Sequence, residues 1–301
     1  MEGKILSGFK AVILILLLVI YWFIPYNTIQ FEKSSNSNFN ANTEYNNTLQ
    51  FYPNMRFPNT NISYKIEDCP LKRQNDMEEA FNIMKEETVL DFYPIAYNPE
   101  ITVTCQDTNK EEGNLFIAGE GGPTDITIAG DFNIIKAGKI LLIKDSKCER
   151  PNVAIHELLH VLGFDHSENP NNIMYEISRC DQEIGTDIIN FLDEIYSIPS
   201  QPDLQFKNAS VLMHGKYLDV NFSLINNGIK QSGESIVKII VDDKEVEEVE
   251  IPEIEIGYGR KIFLSNIWVK QISVQEVECI IENNFTEIDK SNNRVVFKIK
   301  K

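Results

Sequence analysis

Four histidines occur in this chain of 301 residues, and three of them fall within His156-Glu157-Leu158-Leu159-His160-Val161-Leu162-Gly163-Phe164-Asp165-His166. On a helix beginning near Pro151, a good first-turn residue, His156 and His160 are four apart and stack on one face, close enough to share a metal ion. Gly163 can take the left-handed conformation that ends a helix, which turns the chain back so that His166 supplies a third nitrogen. Three neutral imidazoles around one Zn²⁺ leave a fourth position for water, the open coordination of a catalytic rather than a structural site. Glu157 adjoins the first ligand and is placed to hold and deprotonate that water. The bare HExxH pentapeptide can arise by accident on an amphipathic helix. Gly163 and His166 at their offsets argue against accident.

Those side chains need a folded domain to position them. Residues 62–67 read as a strand ending at Cys69, and residues 101–104 as a strand ending at Cys105. Between them, Met77, Ala80, Phe81, Met84 and Val89 carry the apolar spacing of a helix over 76–92. Short β-like runs follow at 115–118, 126–129 and 139–143, then the metal helix, then a last helix over 186–196. Gly119-Glu120-Gly121-Gly122 lacks the Lys-Ser/Thr of a phosphate loop and reads as a glycine turn between strands. Of the five cysteines, Cys69 and Cys105 can be bridged if their strands are neighbours. Cys148 and Cys180 flank the histidine segment, so a bond between them would close it into a loop. Cys279 is left over in an apolar strand pattern, where a buried free thiol is the default.

The histidine stretch matches the zinc signature of the metzincin metallopeptidases, HExxHxxGxxH, without a mismatch. Metzincins also carry a methionine in a tight turn beneath the metal, and Asn172-Ile173-Met174-Tyr175 follows His166 at a suitable distance. Ser167 after the third histidine and the Met-Tyr pair most resemble the matrixin branch. The resemblance implies an α+β fold, a twisted mixed sheet above an active-site helix, with an edge strand against which extended protein or peptide substrate lies antiparallel. It implies one catalytic Zn²⁺ on His156, His160 and His166, Glu157 as general base and Met174 as the Met-turn residue. Two features depart from matrixins. The only candidate for a zinc-blocking pro-segment cysteine, Cys69, lacks the flanking motif, and no histidine remains for a second zinc site, His214 being remote.

Composition bounds the rest. With 43% hydrophobic and 24% charged residues the chain can bury a real core, and a formal net charge of −17 argues against nucleic-acid binding. The acidity concentrates in residues 60–199, with 26 acidic against 11 basic side chains. Such a surface attracts cationic substrates or Ca²⁺, although no residue pattern specifies a calcium site, and a well-solvated surface explains it as simply. After Lys4 and Lys10, residues 11–24 are apolar, and with 5–9 they give about 20 residues, enough to cross a ~30 Å hydrocarbon core. Tyr21, Trp22, Phe23 and Tyr26 form an aromatic belt, and the preceding lysines put the N-terminus in the cytoplasm. A cleavable signal peptide is the rival, but no small-x-small cleavage pattern follows Ile24. Residues 1–26 are thus expected to be a single-pass transmembrane anchor, 27–59 a polar linker, and everything beyond extracellular. Five cysteines and sequons at Asn46, Asn61, Asn208, Asn221 and Asn284 suit an exterior.

After the Pro-rich 198–202 the pattern changes. Runs at 217–225, 235–241, 261–268 and 295–299 alternate in period two between Asn-Asn-Gly, Gly-Tyr-Gly and Asn-Asn turns, an all-β sandwich over 200–301 beside the 60–199 domain. Pro202-Asp203-Leu204, Asn226-Asn227-Gly228 and Glu287-Ile288-Asp289-Lys290-Ser291-Asn292-Asn293 resemble the CARDB family of Ig-like modules, which implies a role in binding a surface partner. The expectation is therefore a membrane-anchored zinc endopeptidase. The alternatives are a surface adhesion protein with a catalytically silent zinc domain, and a peptidase whose third ligand is a downstream carboxylate such as Glu183.

Overall fold

The computed structural model describes residues 28–33, 49–107, 111–112, 115–116, 118–146, 148–270 and 273–299. Strand β1 (Thr28–Lys33) joins the C-terminal module. The N-terminal domain runs β2 (Met55–Arg56), β3 (Asn61–Glu67), α1 (Leu71–Glu87), β4 (Asp91–Pro94), β5 (Ile101–Cys105), the small hairpin β6 (Glu111–Glu112) and β7 (Leu115–Phe116), β8 (Gly119–Ala129), β9 (Phe132–Leu142), α2 (Asn152–Val161) and α3 (Thr186–Ser197). Its sheet has the order β2-β9-β5-β3-β4, with β8 on the far side of β9. All pairings are parallel except that of β8 with β9. Parallel strands require crossovers, and α1 provides the one between β3 and β4. It buries Met77, Ala80, Phe81 and Met84, and Phe81 stacks on Tyr64 at 4.0 Å.

Three sequence expectations change here. The helix expected over 76–92 instead spans Leu71–Glu87, because Thr88 turns extended and the β-branched Val89 leads into β4, which pairs with β3. The glycine turn expected at 119–122 is the start of an eleven-residue strand, β8, and the runs at 126–129 and 139–143 belong to the β8–β9 hairpin. The domain also begins before residue 60. The guanidinium of β2's Arg56 donates to the carbonyls of Ile195 and Ile198 at 2.5 and 2.9 Å and stacks 4.3 Å over the Tyr196 ring, tying α3 to the sheet.

Both cysteine pairings read from the sequence are present. Cys69 and Cys105, at the ends of neighbouring β3 and β5, form one disulfide, and Cys148 and Cys180 the other. Cys69 is therefore unable to serve as a zinc-blocking thiolate. Cys279 is free and buried, and burial pushes its thiol up to about 12.

The C-terminal module contains β10 (Leu204–His214), β11 (Tyr217–Asn226), β12 (Ser235–Val241), β13 (Lys244–Ile251), β14 (Gly259–Trp268), β15 (Glu276–Glu282) and β16 (Arg294–Ile299). Two antiparallel layers, β10-β11-β14 and β13-β12-β15-β16, face each other across a core of alternating residues such as Val220, Phe222, Val237, Ile239, Val277 and Phe297. Strand β1 links the layers. Its Thr28–Gln30 half pairs with β10 and its Phe31–Lys33 half with β16, so part of the stretch read as a linker is a strand. The residues that carried the CARDB resemblance meet at one end of the sandwich. Asn292 Nδ2 donates to Asp203 Oδ1, Asn293 Nδ2 to Glu287 Oε1, Leu204 N to Glu287 Oε2, and Asp203 N to Asn226 Oδ1. At that same end Ile229, Ile256 and Ile288 pack into the core of the N-terminal domain.

Among the described residues no helix is long and apolar enough to cross a membrane. The anchor expected at 1–26, residues 27 and 34–48 of the linker, and the Asn46 sequon lie outside the described residues.

Candidate metal centre

Helix α2 is apolar almost all round, and from Ala154 to Val161 every residue is buried, including the polar His156, Glu157 and His160. A helix so placed orients its polar side chains only where they find partners. His156 Nδ1 lies 2.7 Å from the carbonyl of Ile173, and His160 Nδ1 lies 2.8 Å from that of Phe164. A carbonyl only accepts, so both Nδ1 atoms carry the proton and both Nε2 atoms keep a free lone pair. Gly163 adopts φ +94° at the end of the helix, as the histidine spacing requires, and the chain folds back. His166 Nε2 then lies 3.2 Å from His160 Nε2.

The ligand atoms of His156, His160 and His166 all lie within 4.8 Å of one another. Among the described residues this is the group of His, Cys, Asp or Glu side chains that gathers closely enough to hold an ion; the exposed Glu183 is not part of it. Burial, then the neighbouring His160, holds His156 down at about 4, and burial lowers His160 as well, so both rings are neutral at pH 7. Two Nε2 lone pairs fixed by backbone carbonyls and a third imidazole converging on them fit a tetrahedral zinc site with one position open.

The Met-turn contributes directly. Met174 is buried; its N–H donates to Asn172 Oδ1 at 2.9 Å and its carbonyl accepts from Ser167 N at 2.8 Å. The turn's Ile173 carbonyl is the partner of His156 Nδ1, so the turn orients a ligand. Asn152 at the start of α2 donates to the Arg179 carbonyl at 2.7 Å, beside the Cys148–Cys180 bond, which ties the turn's loop to the helix.

Glu157 is 6% exposed, and burial, then the nearby Glu120, raises its carboxyl to about 8. It lies against β8, where Gly121 has a role missed in the sequence. A β-carbon at Gly121 would sit 2.3 Å from the Glu157 carbonyl oxygen, closer than any real contact, whereas one at Gly122 meets nothing within 4 Å. The glycine permits strand and helix to approach closely. Gly121→Ala is accordingly expected to lower kcat/KM on a peptide on the order of ten- to a hundred-fold by displacing the helix that carries Glu157, while Gly122→Ala stays near wild type. Steady-state kinetics of the two variants check this, and equal activity would remove the steric argument. The ring of Phe51, 5.6 Å from that of His160 and stacked on it, is a second contact that the sequence did not disclose. It sits on a segment that carries no motif and is tied to the helix end by Phe51 N donating to Gly163 O and Asp165 N donating to Leu49 O.

Residues 56–197 match the family model for matrixin, and residues 201–297 match that for CARDB. No curated protein matches the chain.

Proposed function

We propose, on the premise that residues 56–197 match the matrixin model and residues 201–297 the CARDB model, that the chain works as a membrane-anchored, outward-facing zinc endopeptidase. The observation that carries the reading is the convergence of His156, His160 and His166, two of them with backbone-fixed tautomers. When bound there, Zn²⁺ polarises the scissile carbonyl and lowers the pKa of water toward ~7. The charge of a Zn²⁺ held by the neighbouring histidines would offset the burial that raises Glu157 and favour its ionised form, so that its carboxylate would accept the proton of the attacking water and later deliver it to the leaving amine, with no covalent intermediate needed. Among the described strands β8 pairs with β9, and its other edge, away from the Thr127–Ile128 end that lies against Gly257, is where an extended peptide would add as a further strand. Lys4 and Lys10 ahead of the apolar run of residues 11–24 support an anchor with a cytoplasmic N-terminus and hence an exterior location for both domains, and two disulfides agree with it.

Metal analysis of the purified chain tests the assignment. About one zinc per chain is expected, lost in His166→Ala and kept in Glu183→Ala, with cleavage of a peptide library abolished by a chelator and restored by zinc. Zinc lost in Glu183→Ala and retained in His166→Ala would replace the proposed ligand set with one containing the carboxylate.

A further inference from the structure

Strand β1 fixes where the chain leaves the module. Its register places Thr28 opposite His214, at the tip where β10 turns into β11. Ile229, Ile256 and Ile288 pack into the matrixin domain at the opposite end. Thr28 is thus held at the tip opposite the end that packs on the matrixin domain, and the apolar run of residues 11–24 with its aromatic flank Tyr21–Tyr26 immediately precedes it in the sequence.

That tip carries two exposed aromatic rings between lysines. Tyr217 and Trp268 are a cross-strand pair on β11 and β14, and they are 46% and 54% exposed. Lys216 and Lys270, both exposed, flank them, and Val269 N donates to the Lys216 carbonyl at 2.8 Å, holding the two loops together. The turn of the other layer, between β12 and β13, carries Asp242 and Asp243 instead. Aromatic rings with one polar edge favour the headgroup level of a bilayer, and lysines beside them are drawn to anionic lipid.

We propose that the tip formed by Lys216, Tyr217, Trp268 and Lys270 rests on the anionic headgroup layer of the membrane that the preceding apolar run enters. The β11–β14 side of the module meets the lipid, and the acidic β12–β13 turn is tilted away. The CARDB module then stands as a spacer. Eleven residues of β10 at ~3.3 Å each hold the matrixin domain about 35 Å above the surface. Substrates are accordingly proteins that project from a surface or are released from it, not segments lying at the bilayer. The inference rests on the anchor reading above.

The chain has two tryptophans, so Trp22→Phe leaves Trp268 as the sole reporter. The full chain carrying that substitution is reconstituted into phosphatidylcholine vesicles containing phosphatidylserine. Trp268 emission should shift to the blue and be largely quenched by lipid spin-labelled near the headgroup. Adding Lys216→Glu and Lys270→Glu should relieve the quenching while the chain stays in the vesicles. Oxidation of a Thr28→Cys, His214→Cys chain should cross-link the two positions. A chain that inserts but shows water-exposed, unquenched Trp268, or Trp268 buried against a second copy, overturns the inference and leaves the anchor intact. Failure of the Thr28–His214 cross-link removes the register it starts from. A chain that alkaline carbonate strips from the vesicles overturns the anchor reading and the inference together.

Discussion

Replacing Glu157 with Gln is expected to leave zinc bound and to lower peptide hydrolysis by at least ~10²-fold, the low end for a lost general base. The loss corresponds to about 2.7 kcal/mol of transition-state stabilisation. The substitution keeps the shape of a side chain that is almost fully buried against β8, and the amide still donates and accepts hydrogen bonds. What it removes is the ability to take a proton. Because the three histidines are oriented by Ile173 O, by Phe164 O and by the chain reversal at Gly163, none of their supports passes through the Glu157 carboxylate, and metal content should be unchanged. The decisive measurement is kcat/KM beside zinc content. Near wild-type hydrolysis would take the base role away from Glu157 and favour a silent zinc domain, whereas lost zinc would show that the carboxylate positions the ligands.

The metal centre was legible because its chemistry is local. Three ligands, a base and a helix-ending glycine all fall within eleven consecutive residues, and helical geometry alone converts their spacing into proximity. The cysteine pairs were legible for a related reason, since each cysteine follows a strand or flanks the loop it closes. The module's strands declared themselves by strict alternation; in β11, Leu218, Val220, Phe222 and Leu224 are buried and their neighbours are not. Strand β8 was hidden by the same closeness that makes it useful. Glycine is a turn residue by local preference, and only the position of Glu157, nearly forty residues later, explains why Gly121 stands in a strand.

The end of α1 and the strand β1 were missed for different reasons. The apolar spacing of Met77 to Met84 continues through Val89 and Phe92, so the periodicity has no break at Glu87; the break is made by pairing with β3, a non-local event. In β1, Ile29 and Phe31 alternate with Thr28, Gln30 and Glu32, a period-two signal, but the strand is short and its partners lie more than 180 residues away. Composition read it as tether. The boundary near residue 60 failed similarly, because Met55 and Arg56 join the sheet through β9.

The two disulfides offer a comparison in which chain entropy is nearly held constant. Cys69 and Cys105 are 36 residues apart, Cys148 and Cys180 are 32 apart, and loop closure of that length stabilises by roughly 3–4 kcal/mol in the chain-entropy model. Cys148→Ser with Cys180→Ser, and Cys69→Ser with Cys105→Ser, are therefore expected to lower the melting temperature by similar amounts, on the order of 10 °C. Their effects on the metal should part company. The first bond closes the loop containing Ile173, whose carbonyl orients His156, and Asn152, which holds the Arg179 carbonyl beside Cys180. The second only joins the ends of β3 and β5, which already pair along their length. Zinc affinity should fall in the Cys148, Cys180 double variant and stay near wild type in the other, as read by competition with a chromogenic chelator at a temperature where both remain folded. Equal zinc affinities alongside equal stability losses would mean that the Met-turn keeps its place without the bond, held by the hydrogen bonds of Asn152, Asn172, Ser167, Ile173 and Gln182.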